Sequence, residues 1–418
     1  MIHQVKPPPT AVAKLKQIVN LQLLLLEHAA QQSIVDKLSI ANCLMVTYGV
    51  DAERIAEWIT KKGNWLGFLN QFAAHLDSDD KGHLVAGIKA DIDLLYSPTP
   101  QLLQVTIPQN APSWRLGVRN FCLHFFDLWR ADTKEPGFPS YLFPTNTDGK
   151  LSFSRWDYLD SFRLANDGLY LCAICDVSVY RTSTGDRAFA SIEHFFPKSY
   201  YPHLAIHPYN LVPICPFCNS IAADNDPLEF CDKVLGISEI LLPYSQEQIG
   251  FTQQAFIEIQ PHQFLSGTDR AKIHPLQIKF RPAKDHRSER AIYIFNKIYD
   301  IEARWNKDLD QIAEHVFRRV QQFLLGDVHM GNSLTDYRFL LDKLKALMAL
   351  TDRQDLGKDP YSFATVWLLN YFIDQLEINK DNALIYLELR QWAEIQREEW
   401  NVLTEYADRI RDRVPHTA

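Results

Sequence analysis

Cys172 and Cys175 form one Cys-x-x-Cys pair, and Cys215 and Cys218 form a second. At this spacing each pair makes a tight knuckle with both sulfurs on one side. Two knuckles supply the four soft ligands of a closed tetrahedral zinc site. Zinc held there would fasten two loops far apart in the chain and fix the segment between them. That segment contains Ser191-Ile-Glu-His-Phe-Phe-Pro-Lys198 and the dipeptide Asn210-Leu211, and Asn219 directly follows the second pair. An acid beside a histidine, followed by asparagines, suits a second metal site with chemistry of its own. One Cys-x-x-Cys alone fits a redox motif. Two that enclose such a set fit a metal staple better than four unligated core thiols.

Three further runs narrow the reading: Glu193-His194-Phe195-x-Pro197-Lys198-Ser199-x-Tyr201-Pro202, Tyr209-Asn210-Leu211 and Cys215-x-x-Cys218-Asn219-Ser220. Together they resemble an HNH endonuclease with a ββα-metal core and zinc knuckles. The closest motif likeness is to the HNH nuclease subunits of Septu-type and some retron antiphage systems. The likeness covers roughly residues 170 to 230, with a weaker echo over Ala291 to Arg304. In place of a Lys-Gly often found after the last signature position, this chain has Ile221-Ala-Ala-Asp-Asn-Asp-Pro227.

The resemblance implies roles. Phosphodiester hydrolysis needs an activated water and neutralisation of charge at the phosphorus and the leaving oxygen, and a single divalent metal meets much of the second need. Glu193 would be a metal ligand and His194 the general base; adjacent residues at a strand end point in different directions, and an imidazole with an ordinary pKa near 6.5 suits a base at neutral pH. Asn219 would be the other protein ligand. A hard oxygen set completed by water and phosphate favours Mg²⁺ or Mn²⁺ over zinc at this second site. Asn210 would hydrogen-bond backbone and hold the loop carrying His194. Lys198 is a candidate phosphate contact, against a solvated surface lysine. His203 and His207, beside Pro202 and Pro208, read as loop histidines. Asp226 before Pro227 reads as a turn residue, and Cys231 as core.

The elements that must position these residues are mostly helical. The chain has 418 residues, enough for two or three domains, and is 46% hydrophobic and 22% charged, ordinary values for a globular protein. The expected class is α+β, predominantly helical, with a central zinc-stapled ββα core between helical domains. Residues 1–135 form an N-terminal helical domain: Leu15, Ile18, Val19 and Gln22 begin a 3.6-residue pattern, and Ala52 to Trp58, Leu66 to Leu76 and Ser113 to Trp129 repeat it. Pro136 to Gly149 is rich in turn residues, and a linker is placed over 136–165. The nuclease core covers 166–235, with short strands around Leu169–Leu171 and Phe189–Ile192. A mixed region at 236–287 follows, with a strand over Phe251 to Ile259, and then a C-terminal helical domain at 288–418. Its stripe Ile385, Leu389, Trp392, Leu403, Tyr406 and Ile410 reads as a face packed on its own domain or, alternatively, docked on a partner.

Net charge is −8 and the isoelectric point about 6.0, awkward for a protein that binds DNA unaided. Within the core, Arg181, Arg187 and Lys198 face Asp176, Asp186, Glu193, Asp224, Asp226 and Glu229. The clearest basic cluster is Arg281, Lys284, Arg287 and Arg290. The function expected is a metal-dependent endonuclease acting on DNA, the effector of an antiphage system under a partner ATPase or sensor. The rivals are an HNH nuclease of restriction or mobile-element processing, and a non-catalytic zinc-ribbon interaction module. No membrane span or signal peptide is legible, and scattered single cysteines beside metal-spaced ones fit the cytoplasm.

Overall fold

The computed structural model describes residues 5–61, 64–130, 137–143, 152–167, 169, 171–176, 191–222, 225–244, 255–261, 276–282, 286–329, 334, 336–351 and 361–411. The protein is mostly helical. It divides into two compact units, one of residues 1–256 with 282–300 and the other of residues 257–281 with 301–418.

In the first unit, six helices precede the cysteine pairs: α1 (Pro9–Ala30), α2 (Lys37–Tyr48), α3 (Ala52–Lys61), α4 (Trp65–Ala73), α5 (Ser78–Tyr96) and α6 (Ser113–Arg130). Their ends are written locally. Pro9 opens α1, where a missing N–H costs nothing. Asp36 and Ser39 form a capping box on α2, and Asp77 caps α5. The helices bury Leu15, Ile18, Leu25, Ile55, Trp65, Phe72, Phe121 and Phe125 in one core. Gly117 permits the closest crossing: a Cβ there would lie 2.7 Å from the Phe68 carbonyl oxygen, so α6 lies directly on α4.

The same core continues through the segment expected as a linker. Phe138–Pro139 (β1) pairs antiparallel with Ser152–Phe153 (β2), and α7 (Arg155–Ala165) starts from a Ser154–Asp157 capping box. Phe138, Leu142, Phe143, Phe153 and Tyr158 are buried with the helices. The described part of 136–165 is therefore a packed piece of the unit. Pro139 lies in β1, and the aromatics set the burial.

Ser191–His194 (β3) pairs antiparallel with Leu211–Ile214 (β4), placing Glu193 opposite Val212 and His194 opposite Leu211. Helix α8 (Pro216–Ala222) follows β4 at once and packs on β3. One expectation changes here. Leu171 is a single bridge residue and Leu169 is coil, so the partner of the first strand is the Leu211 run. The sequence hid that strand because its four residues are all buried and show no alternation. Helix α9 (His286–Tyr299) packs on α8.

The second unit holds the hairpin of β5 (Ala255–Pro261) and β6 (Leu276–Pro282), then α10 (Ile301–Lys307), α11 (Leu309–His329), α12 (Tyr337–Leu350), α13 (Ser362–Asn379) and α14 (Leu384–Arg411). Asn306 brackets Ile278 with two backbone hydrogen bonds of 2.7 and 2.8 Å, tying α10 to β6. On α14, Ile385, Tyr386, Leu389 and Ala393 are buried, while Leu403 is exposed; the side chains of Tyr406 and Ile410 lie outside the described residues. The N-terminal half of the stripe thus packs on its own helices, α11 and α13. Among the described residues no helix is long and apolar enough to cross a membrane.

Candidate functional site

The four cysteines meet. Their sulfurs lie within 4.8 Å of one another, all buried. Cys175 and Cys215 sulfurs are 3.7 Å apart, far beyond a disulfide bond. A tetrahedron with zinc–sulfur distances of about 2.3 Å has edges of about 3.8 Å, so this spacing fits a metal at the centre. Backbone donors complete the knuckles: Cys215 N–H reaches the Cys172 sulfur, and Cys218 N–H the Cys215 sulfur, each at 3.3 Å. Asp176, after the first pair, adopts a left-handed φ of 61° that turns the chain out of its knuckle. Hydrogen bonds from the neighbouring thiols and from the Cys218 backbone pull the Cys215 thiol well below its ordinary range. The burial that raises Cys172 is what a bound cation would offset by stabilising thiolates. The group can hold a structural metal such as zinc.

Cys215 also serves as the start of α8, accepting the Asn219 N–H on its carbonyl at 3.0 Å. Asn219 therefore sits within the first turns of α8 and does not cap it. Its side chain is half-buried and makes no hydrogen bond among the described residues. Because α8 packs on β3, the helix carrying Asn219 and the strand carrying Glu193 are in contact.

Strand alternation sends Glu193 and His194 to opposite faces. Glu193 shares its side with the thiols. The Tyr299 hydroxyl, buried on α9, is raised well above its ordinary range by burial and then by Glu193, Cys218 and Cys172. Glu193 is 6% exposed, and its carboxylate makes no hydrogen bond or ion pair among the described residues. Burial pushes its pKa up to about 8, against the pull of Lys198. A buried carboxylate in this state takes up either a proton or a cation.

His194 faces α6, edge-on to the Phe126 ring with centroids 4.5 Å apart. Its Nε2 lies 3.0 Å from the Ala205 carbonyl oxygen. A carbonyl only accepts, so Nε2 carries the proton and Nδ1 keeps the lone pair of the neutral ring. Burial first, and Lys198 second, push the pKa down to about 3, so the ring is neutral at physiological pH but a weaker base than the ordinary imidazole near 6.5 that the sequence led us to expect.

Asn210 is fully buried and clasps the loop between the strands. Its side-chain oxygen accepts the Phe196 N–H at 2.7 Å, and its amide donates to the Phe196 and Leu204 carbonyls at 3.1 and 3.0 Å. Its own carbonyl accepts the Phe195 N–H at 2.9 Å. The loop is tied to the helices by Arg119, which donates to the Ile107 and Ser199 carbonyls at 2.8 and 2.5 Å. Tyr158 and Tyr244 hydroxyls both donate to the Leu211 carbonyl, at 2.6 and 2.8 Å.

His203 and His207 are fully buried, where the sequence pointed to ordinary loop histidines. His203 Nε2 meets the Asp91 carboxylate at 3.1 Å, and Asp91 also accepts the Gln104 and Val105 N–H groups. Their job is to fasten the 202–210 loop to α5. Asp226 caps its turn through the Leu228 N–H and accepts the Tyr201 hydroxyl at 2.7 Å. Cys231 is half-buried and packs against the core. In the basic cluster Arg290 is engaged with the Phe230 carbonyl at 2.7 Å and Glu239 at 3.5 Å. Lys284 and the side chain of Arg287 lie outside the described residues, as do Arg181, Arg187, Asp186 and Asp224.

Sequence reasoning missed Phe126, Arg119, Tyr158, Tyr244 and Tyr299, which surround the hairpin from distant helices and turns. In one dimension they are ordinary aromatic residues and one arginine, with no spacing that ties them to the hairpin. Comparison of the chain with family models, curated proteins and solved structures finds no match.

Proposed function

We propose that this protein is a metal-dependent endonuclease of the HNH type that hydrolyses DNA, with a structural zinc on Cys172, Cys175, Cys215 and Cys218. In this reading Glu193 and Asn219 bind Mg²⁺ or Mn²⁺, His194 is the general base, and Asn210 holds the base's loop in place. The observation that carries it is the Glu193–His194 pair at the end of β3. One member is a buried carboxylate without a hydrogen-bond donor among the described residues. The other is a neutral histidine whose Nε2–H is fixed on a backbone carbonyl, which leaves Nδ1 as the basic atom. A divalent cation would relieve the desolvated carboxylate, and a fixed tautomer is what a positioned base needs.

The motif likeness to Septu and retron nuclease subunits extends the proposal to antiphage defence, with an ATPase or sensor partner licensing cleavage. The net charge of −8 agrees with substrate delivery by such a partner. The test is incubation of supercoiled plasmid with the zinc-loaded protein and Mn²⁺ or Mg²⁺, alone and with the product of the adjacent gene. Conversion to nicked or linear DNA, blocked by EDTA, is expected. Intact plasmid in every arm contradicts the proposal.

A further inference from the structure

Phe126, in the last turn of α6, is the meeting point of three side chains. The His194 ring stands edge-on to it, 4.5 Å between centroids. Lys198 Nζ lies 4.3 Å from its centroid, and the Arg130 guanidinium 5.8 Å. Arg130 is one helical turn beyond Phe126, which puts both on one side of α6. Lys198 arrives from the turn that follows β3. Two cations thus share one ring beside His194.

Neither cation is well neutralised. Arg130 has Asp127 at 3.7 Å, with both side chains more than half exposed, a pair worth little. Lys198 makes no ion pair or hydrogen bond among the described residues, although it is only partly exposed. A cation–π contact in such a setting is weaker than a carboxylate or phosphate partner at hydrogen-bond range. Burial, and then repulsion from Arg130, lower the proton affinity of Lys198, while Asp127 and Glu193 offset part of that without pairing with it. An anion seated between the two would relieve that repulsion and engage both.

We propose that Arg130 and Lys198 clamp a backbone phosphate of the nucleic-acid substrate, with Phe126 holding both cations beside His194. The clamp rests on the nuclease reading of the same site and adds to it. It makes α6, an element of the N-terminal helical region, part of the substrate site. The guanidinium fork can take two phosphate oxygens while the ammonium acts as a point charge. Ring, base and cations would then fix where the phosphorus sits relative to Nδ1 of His194.

The experiment is binding of a short fluorescent DNA duplex, in Ca²⁺ to prevent cutting, titrated from low to moderate salt. The chains compared are wild type, Arg130→Gln, Arg130→Lys and Lys198→Met, each checked for zinc content. Lys198→Met keeps the stem on Phe126, and Arg130→Gln alters an exposed side chain, so neither tests folding. Arg130→Gln and Lys198→Met should each weaken binding about 10-fold and flatten the log–log salt slope by about 0.9, the loss of one phosphate contact. Arg130→Lys should keep the slope. In Mn²⁺ the two neutral variants should cut at raised KM. Unchanged affinity and slope in both, with a wild type that binds and cuts, overturns the clamp and leaves the nuclease reading standing. A wild type that neither binds nor cuts overturns both.

Discussion

At the scale of single residues, Glu193 and His194 are neighbours in the chain that face different surroundings. Glu193 looks toward the thiols and Tyr299; His194 looks toward Phe126. Glu193→Gln should raise the Mn²⁺ concentration needed for half-maximal cleavage by at least about 10-fold while preserving zinc content, read by a metal titration of initial rates. Asn210→Ala strips the side-chain bonds to Phe196 and Leu204 and leaves a buried N–H unpaired. The first unit should lose about 2–4 kcal/mol in denaturant unfolding. A pH dependence follows from the buried histidines. Burial holds both His194 and His207 at about 3, against about 6.5 in the unfolded chain. Below about pH 6.5 the unfolded chain therefore binds protons that the folded one refuses, so stability falls as pH drops from there toward 3. His207→Asn should reduce that slope by up to about 1.4 kcal/mol per pH unit between pH 6 and 5. An identical slope in the variant would contradict the burial argument.

At the scale of elements, legibility followed locality. The Cys-x-x-Cys pairs could be read because their chemistry is a matter of type and spacing, whereas the roles of the Glu-His and Asn positions came from the family resemblance. Helices α1, α3 and α6 announced themselves by period, while α2 and α7, which open on capping boxes, were not read from the sequence. β4 was hidden by its all-apolar run, and the packed segment from Phe138 to Ala165 by its turn residues. Phe126, Arg130 and Arg119 were invisible as site residues because only the crossing of α6 over the 191–214 hairpin brings them there. The hairpin and α8 are too short to be stable alone, so the knuckles must hold them. Cys215→Ser removes a ligand and the sulfur that accepts the Cys218 N–H. It should release zinc and expose the 191–222 region to protease while the second unit keeps its helical signal. Metal analysis and limited proteolysis read both, and full zinc retention with unchanged protection would refute the staple.

At the scale of the whole molecule, the proposed function asks a chain of net charge −8 to bring a phosphodiester to a site with few cations. The Arg130–Lys198 pair supplies a local anion site without making the surface basic. Unaided affinity for duplex DNA should therefore be weak and fall steeply with salt. Cleavage by the isolated chain should be slow and should accelerate when the adjacent gene's product is added; rapid, salt-resistant cutting by the chain alone would remove the need for a partner. The central claim is that His194 is the base of a metal-dependent phosphodiester hydrolysis, and one comparison tests it directly. Wild type and His194→Ala, matched in zinc content and thermal stability, are assayed on the same plasmid in saturating Mn²⁺ with the partner present. The variant should cut about 10²–10⁴-fold more slowly. Equal rates in the two proteins would contradict the assignment.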